Sequence, residues 1–189
     1  MIRGTHMALA RGSSIPSRLF VAFVLLLLAA SHPLLSQQQD ERAVRTAFIY
    51  NLTKYVDWPK THSTLIICVF GPGTTGGDLK RVLNGKASGD RKLQVMLQST
   101  EPEMQRCNIA YFPGLTRDQS HSLNTAVSRS VLSVGEDEAF VREGGMVAFV
   151  RSGDSIQIQV NIDAVQAAGL TISSRLLDLA IIVHTKRHG

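Results

Sequence analysis

The chain has 189 residues, 44% of them apolar, and a formal charge of +5. Arg3, Arg11 and Arg18 fall in the first 36 residues, where there is no acidic residue, so the rest of the chain carries 17 basic against 15 acidic residues. That near-balance, with no dense Lys/Arg cluster, excludes a nucleic-acid footprint, and the ~150 residues involved suit one domain with a proper core.

The first segment reads as a secretory signal peptide over 1–36: basic start, apolar run Leu19 to Ala30, small residues Ala29-Ala30-Ser31 at the exit. The run has 12 residues. A helix of that length spans roughly 18 Å, against about 30 Å for a bilayer core, which favours a cleaved leader over a membrane anchor. Cleavage is expected near Ala30-Ser31 or near Ser36, and neither has a cysteine beside it for a lipid. Residues 37–189 are then the exported domain, and the expected localisation is periplasmic.

The spacing of Val44, Phe48, Leu52 and Tyr55 predicts a helix from Asp40 to about Tyr55, with Asp40 as its cap, stopped by Pro59. Thr64 to Phe70 is a β-branched apolar run and reads as a buried strand. Gly71 to Gly77 reads as a loop, and Asp78 to Leu83 as a short helix. Lys92 to Gln98 alternates at strand period, and Asn108 to Phe112 is a third strand, ended by Pro113-Gly114. Thr116 to Ser128 is a polar helix, Ser130 to Val134 a fourth strand, and Glu136 to Arg142 a short helix whose acidic start suits the dipole. Met146 to Val150 and Ser155 to Val160 flank the hairpin signal Ser152-Gly153-Asp154. Short helices at Ile162 to Ala168 and Ser173 to Leu179 precede a last strand, Ile181 to Val183. The order argues an α/β fold: a single three-layer domain with a mixed central sheet flanked by helices.

Two cysteines, Cys68 and Cys107, sit in apolar strand-like surroundings. In an oxidising compartment they read first as one disulfide on adjacent strands, and otherwise as two buried thiols. Gly71-Pro72-Gly73-Thr74-Thr75-Gly76 spells G-x-G-x-x-G between a strand and a helix. Pro72 removes an N–H donor, export takes the domain away from NAD and ATP, and no acidic residue closes the next strand. A dinucleotide cofactor is therefore not expected. What remains is a candidate anion or ligand loop at Gly71, Gly73, Thr74, Thr75 and Gly76, beside the plainer reading of a strand-to-helix loop. His62 and His121 lack ligand spacing, so no metal is expected. No nucleophile set is indicated either. Asn51-Leu52-Thr53 matches a glycosylation sequon inside a predicted helix, a coincidence. Trp58 is either a core anchor or part of a partner surface.

Three blocks carry a resemblance. Ala47-Phe48-Ile49-Tyr50-Asn51-Leu52-Thr53-Lys54-Tyr55-Val56-Asp57-Trp58-Pro59 resembles the opening helix of the YfiR-like family of exported bacterial regulatory proteins. Gly144 to Val150 with Ile156 to Ala164, and then Ala168 to Ala180, resemble its second and third hallmarks. The resemblance implies a periplasmic, non-enzymatic α/β domain, often dimeric, with Cys68 and Cys107 as a structural disulfide. It also implies a negative regulator that binds the periplasmic sensor domain of a membrane signalling enzyme. A diguanylate cyclase is the expected partner, with cyclic-di-GMP and biofilm growth under control; a kinase receptor is the variant. The second cysteine pair of some members is missing here, which puts redox control through a second bridge in doubt. Beside this stands a structural reading of the hallmarks. Gly144-Gly145 would end a helix and start a strand, and Asn161, Asp163, Ser173 and Ser174 would cap helices. The other functional reading is a small-ligand sensor or carrier using the Gly71–Gly77 loop.

Overall fold

Residues two apart on a strand face the same layer, and on most strands of this chain both sets are apolar, so the sheet must be covered twice. The computed structural model describes residues 33–58, 63–71, 74–114, 124–126 and 128–184. The larger of two compact units is Gln39–Gly189. Its main sheet has eight strands: β2 (Thr64–Val69), β3 (Ala87–Ser88), β4 (Arg91–Met96), β5 (Ile109–Tyr111), β6 (Leu132–Gly135), β7 (Val147–Ser152), β8 (Ser155–Asn161) and β10 (Ala180–Val183). Their order is β10-β8-β7-β6-β5-β2-β4-β3. The β7–β8 and β3–β4 pairs are antiparallel and the others parallel. A small antiparallel ladder joins β1 (Val56–Asp57) to β9 (Thr171–Ile172). This is the expected mixed three-layer α/β domain.

Helices α1 (Pro33–Tyr55), α2 (Thr74–Leu83), α4 (Ile162–Ala167) and α5 (Ser174–Leu177) cover one face. There Ile49, Leu52, Leu79, Leu83, Val165 and Leu176 meet Leu65, Ile67, Val69, Leu132, Val134 and Phe149. Helix α3 (Glu138–Arg142) and the 3-10 turn Glu101–Arg106 cover the other. Phe140, Val141 and Met104 pack there with Cys68, Phe70, Ala110, Phe112 and Ala148. Each fully buried Leu, Val or Phe contributes about 1.5–3 kcal/mol of transfer free energy.

The bridge between Cys68 and Cys107 is present, with Cα atoms 5.8 Å apart and the two cysteines 39 positions apart in sequence. Cys68 is on β2 and Cys107 leads into β5, its neighbour. The hallmark glycines have a steric cause. Gly144 takes φ +103°, and a Cβ on Gly145 would stand 2.2 Å from the Phe140 ring. Asn161 caps α4 by accepting from Ala164 N at 3.1 Å, and its Nδ2 donates to Val141 O at 2.9 Å. Ser173 holds the cap position of α5 but makes no capping hydrogen bond.

Several boundaries differ from expectation. Helix α1 runs back to Pro33, across Ser36 and Gln37, because Leu34 to Gln39 are helix-compatible residues; Asp40 is an exposed mid-helix residue, not a cap. The buried face of α1 is Thr46, Ile49, Leu52 and Thr53, while Val44 is 38% exposed. Two threonines can be buried because Thr46 donates to Arg42 O and Thr53 to Tyr50 O. Helix α2 begins at Thr74, so much of the expected Gly71–Gly77 loop is helical. Helix α3 starts at Glu138 with Asp137 as its cap, leaving Glu136 outside. The two-residue strands β1, β3 and β9 were too short to carry a periodic signal. The leader run, Pro72, Gly73, His62 and His121 lie outside the described residues.

Candidate functional site

Connections from β2 and β5 leave in opposite directions: β2 leads through α2 to β4 on one side, and β5 leads to β6 on the other. In open α/β sheets the crevice beyond the carboxyl ends of two such strands is the usual place for a ligand. Here it is bordered by Gly71 and Thr75 after β2, Tyr111 at the end of β5, and Glu136 just after β6.

Tyr111 is fully buried. Its hydroxyl donates to Glu136 Oε1 through a short contact. Burial first, and then the Glu136 carboxylate, push the Tyr111 pKa well above the usual phenol value. The group is therefore a fixed donor. Arg45 of α1 reaches Glu136 at 3.5 Å and Glu41 at 3.5 Å, and Arg151 of β7 reaches Glu41 at 2.7 Å. Two guanidinium groups and two carboxylates thus alternate from β7 across α1 to the switch point. Charge balance and enclosure suit them to holding α1 on the sheet. On their own they supply no nucleophile.

The residues singled out from sequence are distributed as follows. Gly71 is exposed at φ +89° beside the switch point. Thr74 and Thr75 open α2, with Thr75 6% exposed. Gly76 is buried inside α2, where a Cβ would stand 3.0 Å from Val69 Cγ1, so its lack of a side chain seats α2 on β2. Trp58 is 8% exposed and belongs to the core; its Nε1 donates to Asn108 O at 3.1 Å and Arg91 lies over its ring. Little of the ring is left for a partner. Among the described residues no group of three or more His, Cys, Asp or Glu is arranged for a metal ion, and no helix is long and apolar enough to cross a membrane.

Tyr111, Glu136 and Arg45 were not anticipated. Glu136 looked like one of three helix-opening acids, and only the tertiary fold turns it towards β5. A hint existed in α1, where Glu41 and Arg45 continue the stripe of Ile49 at helical spacing: ionisable residues in line with a core position need partners.

A second feature lies between α1 and α2. A cavity of about 300 Å³ is bordered by both helices and by Lys86. A third is the sheet edge at β10, which among the described residues pairs only with β8. There Leu179 is 78% exposed, Ile181 46% and Ile182 41%.

Among solved structures, the chain is similar to a conserved domain protein from Vibrio cholerae O1 biovar eltor, at 12% identity and a TM-score of 0.47, over 75% of this chain and 60% of that one. It is also similar to the ABC domain in complex with L-Trp from Streptococcus pneumonia, at 12% identity and a TM-score of 0.47, over 71% of this chain and 59% of that one. The chain thus spans about 60% of the length of these structures. The sequence matches the YfiR/HmsC-like family (DUF4154) over residues 42–181. With all three hallmark blocks essentially inside that match, the chain belongs to the YfiR/HmsC-like family.

Proposed function

We propose that this chain is an exported, periplasmic, non-enzymatic regulator that binds and represses the sensor domain of a membrane signalling enzyme, namely a diguanylate cyclase. The observation that carries the reading is the family match over residues 42–181. Cleavage of residues 1–36 would leave the domain 37–189 to meet the receptor outside the cytosol. On release, cyclic-di-GMP synthesis inside the cell, and with it biofilm growth, would rise. The exposed apolar edge at β10 supports a protein partner, because unprotected edges pair readily with other chains. It is a better candidate than buried Trp58, and a homodimer could use other faces.

Deleting the gene is expected to raise cellular cyclic-di-GMP several-fold, and the tagged protein is expected to retain a membrane receptor in pull-downs. Ile182→Lys should weaken that capture at least tenfold with little change in melting temperature, since surface changes cost little stability. Unchanged cyclic-di-GMP on deletion, with no receptor captured, would sink the reading.

The switch-point position of Gly71 favours a second reading, a periplasmic small-ligand sensor or carrier using the Gly71–Gly77 loop. A ligand held there should raise the melting temperature of the wild type and lose that effect in Gly71→Asp. No shift with any periplasmic metabolite or nucleotide counts against it.

A further inference from the structure

We propose that the cavity between α1 and α2 binds a small organic anion with an apolar body, of the class of aromatic carboxylates and phosphate esters. The site goes beyond the regulatory reading and is independent of it.

Its volume of about 300 Å³ falls at the small end of ligand pockets. Three cations border it, Arg42, Arg81 and Lys86, against one carboxylate, Asp78. Asp78 is already engaged by both arginines: Arg42 Nε stands 3.2 Å from Oδ2 and Arg81 Nη2 2.8 Å from Oδ1. The contact from Arg42 lacks hydrogen-bond alignment, so its Nε is buried without an aligned acceptor. A guanidinium carries five N–H donors, and one carboxylate cannot satisfy two of them. The surplus is positive and donor-rich, which selects an anion.

The remaining wall selects the rest of the ligand. Tyr50 presents its ring, fixed by donation from its hydroxyl to Ala87 O at 3.0 Å. Lys86 lies 4.5 Å from the centroid of that ring, and Lys54 lies 4.2 Å from it. Val82, 42% exposed, sits at the rim. An apolar or flat group would cover Val82 and the alanines of α1 while its charged end met Arg81 and Lys86.

Calorimetric titration of the mature exported chain with benzoate, phenyl phosphate and benzyl alcohol tests this. One or both anions should bind saturably, and benzyl alcohol at least about tenfold more weakly, the worth of one charge-assisted hydrogen bond. Preference for benzoate assigns a carboxylate ligand, and preference for phenyl phosphate a phosphate ester. Arg81→Gln and Lys86→Gln, both at exposed positions, should keep the melting temperature and weaken anion binding about tenfold. Gly71→Asp should leave it unchanged, which separates this site from the switch point. Absence of binding by both anions, equal binding of benzyl alcohol, or wild-type affinity in both Gln variants overturns the proposal.

Discussion

On one face of the sheet Phe70, Phe112 and Phe140 pack ring to ring, with centroids 4.9 and 5.8 Å apart, around the Cys68–Cys107 bridge. On the other, α1 is seated partly by apolar side chains and partly by Arg45, Glu41, Glu136 and Arg151. The first face is apolar and carries the covalent bridge. The second is more adjustable, because partly enclosed ion pairs, unlike a covalent bridge, can part and re-form. Both the switch point and the α1–α2 cavity lie on the second face.

Breaking the closed face should cost most. Replacing Cys68 and Cys107 together by Ser is expected to destabilise the domain by about 4 kcal/mol on the chain-entropy argument for a loop of this length. For a domain of this size that lowers the melting temperature by roughly 8–16 °C in calorimetry. A fall of only a few degrees would mean that ring packing alone closes this face.

Gly145→Ala comes next. Its Cβ would meet the Phe140 ring at 2.2 Å and Phe140 O at 2.7 Å, and the backbone oxygen cannot move away cheaply. About 2–3 kcal/mol is expected, the usual cost of overpacking a filled core, read from the urea midpoint at constant slope.

The adjustable face should respond less. Tyr111→Phe removes one buried hydrogen bond and should cost about 1 kcal/mol near neutral pH. The pH dependence gives it a signature. Tyr111 has a raised pKa in the folded state, so folding holds its proton more tightly than the unfolded chain does. Its contribution is complete below the ordinary phenol value of about 10 and is lost as pH rises above it. Wild type should therefore lose stability above about pH 10 more steeply than Tyr111→Phe. Parallel profiles would show that neither burial nor the Glu136 carboxylate holds the Tyr111 proton in the folded state.

The legibility of the two faces from sequence differed in the same way. Strand periods, the Ser152-Gly153-Asp154 hairpin and the Gly144-Gly145 stop rest on local chemistry, the paired cysteines on their number and the expected compartment, and each was readable. Tyr111–Glu136 joins residues 25 apart and Arg151–Glu41 spans most of the domain, so neither leaves a local pattern. Gly76 misled for a related reason. Its composition says loop, but its role is to let one helix approach one strand, and that neighbour is known only from the fold.

The bridge also has a consequence in time. Cys68 and Cys107 enclose β3 and β4 and join β2 to the start of β5, so every residue of that crosslinked block precedes β6. A chain that emerges amino end first presents the whole block before the second half of the sheet exists. The two cysteines stand 39 positions apart, so the loop between them is complete as soon as Cys107 has emerged. In an oxidising compartment the bond can therefore lock half a sheet into register and offer β5 as a ready edge. The later strands then add outward from it, and β10 arrives last at the rim.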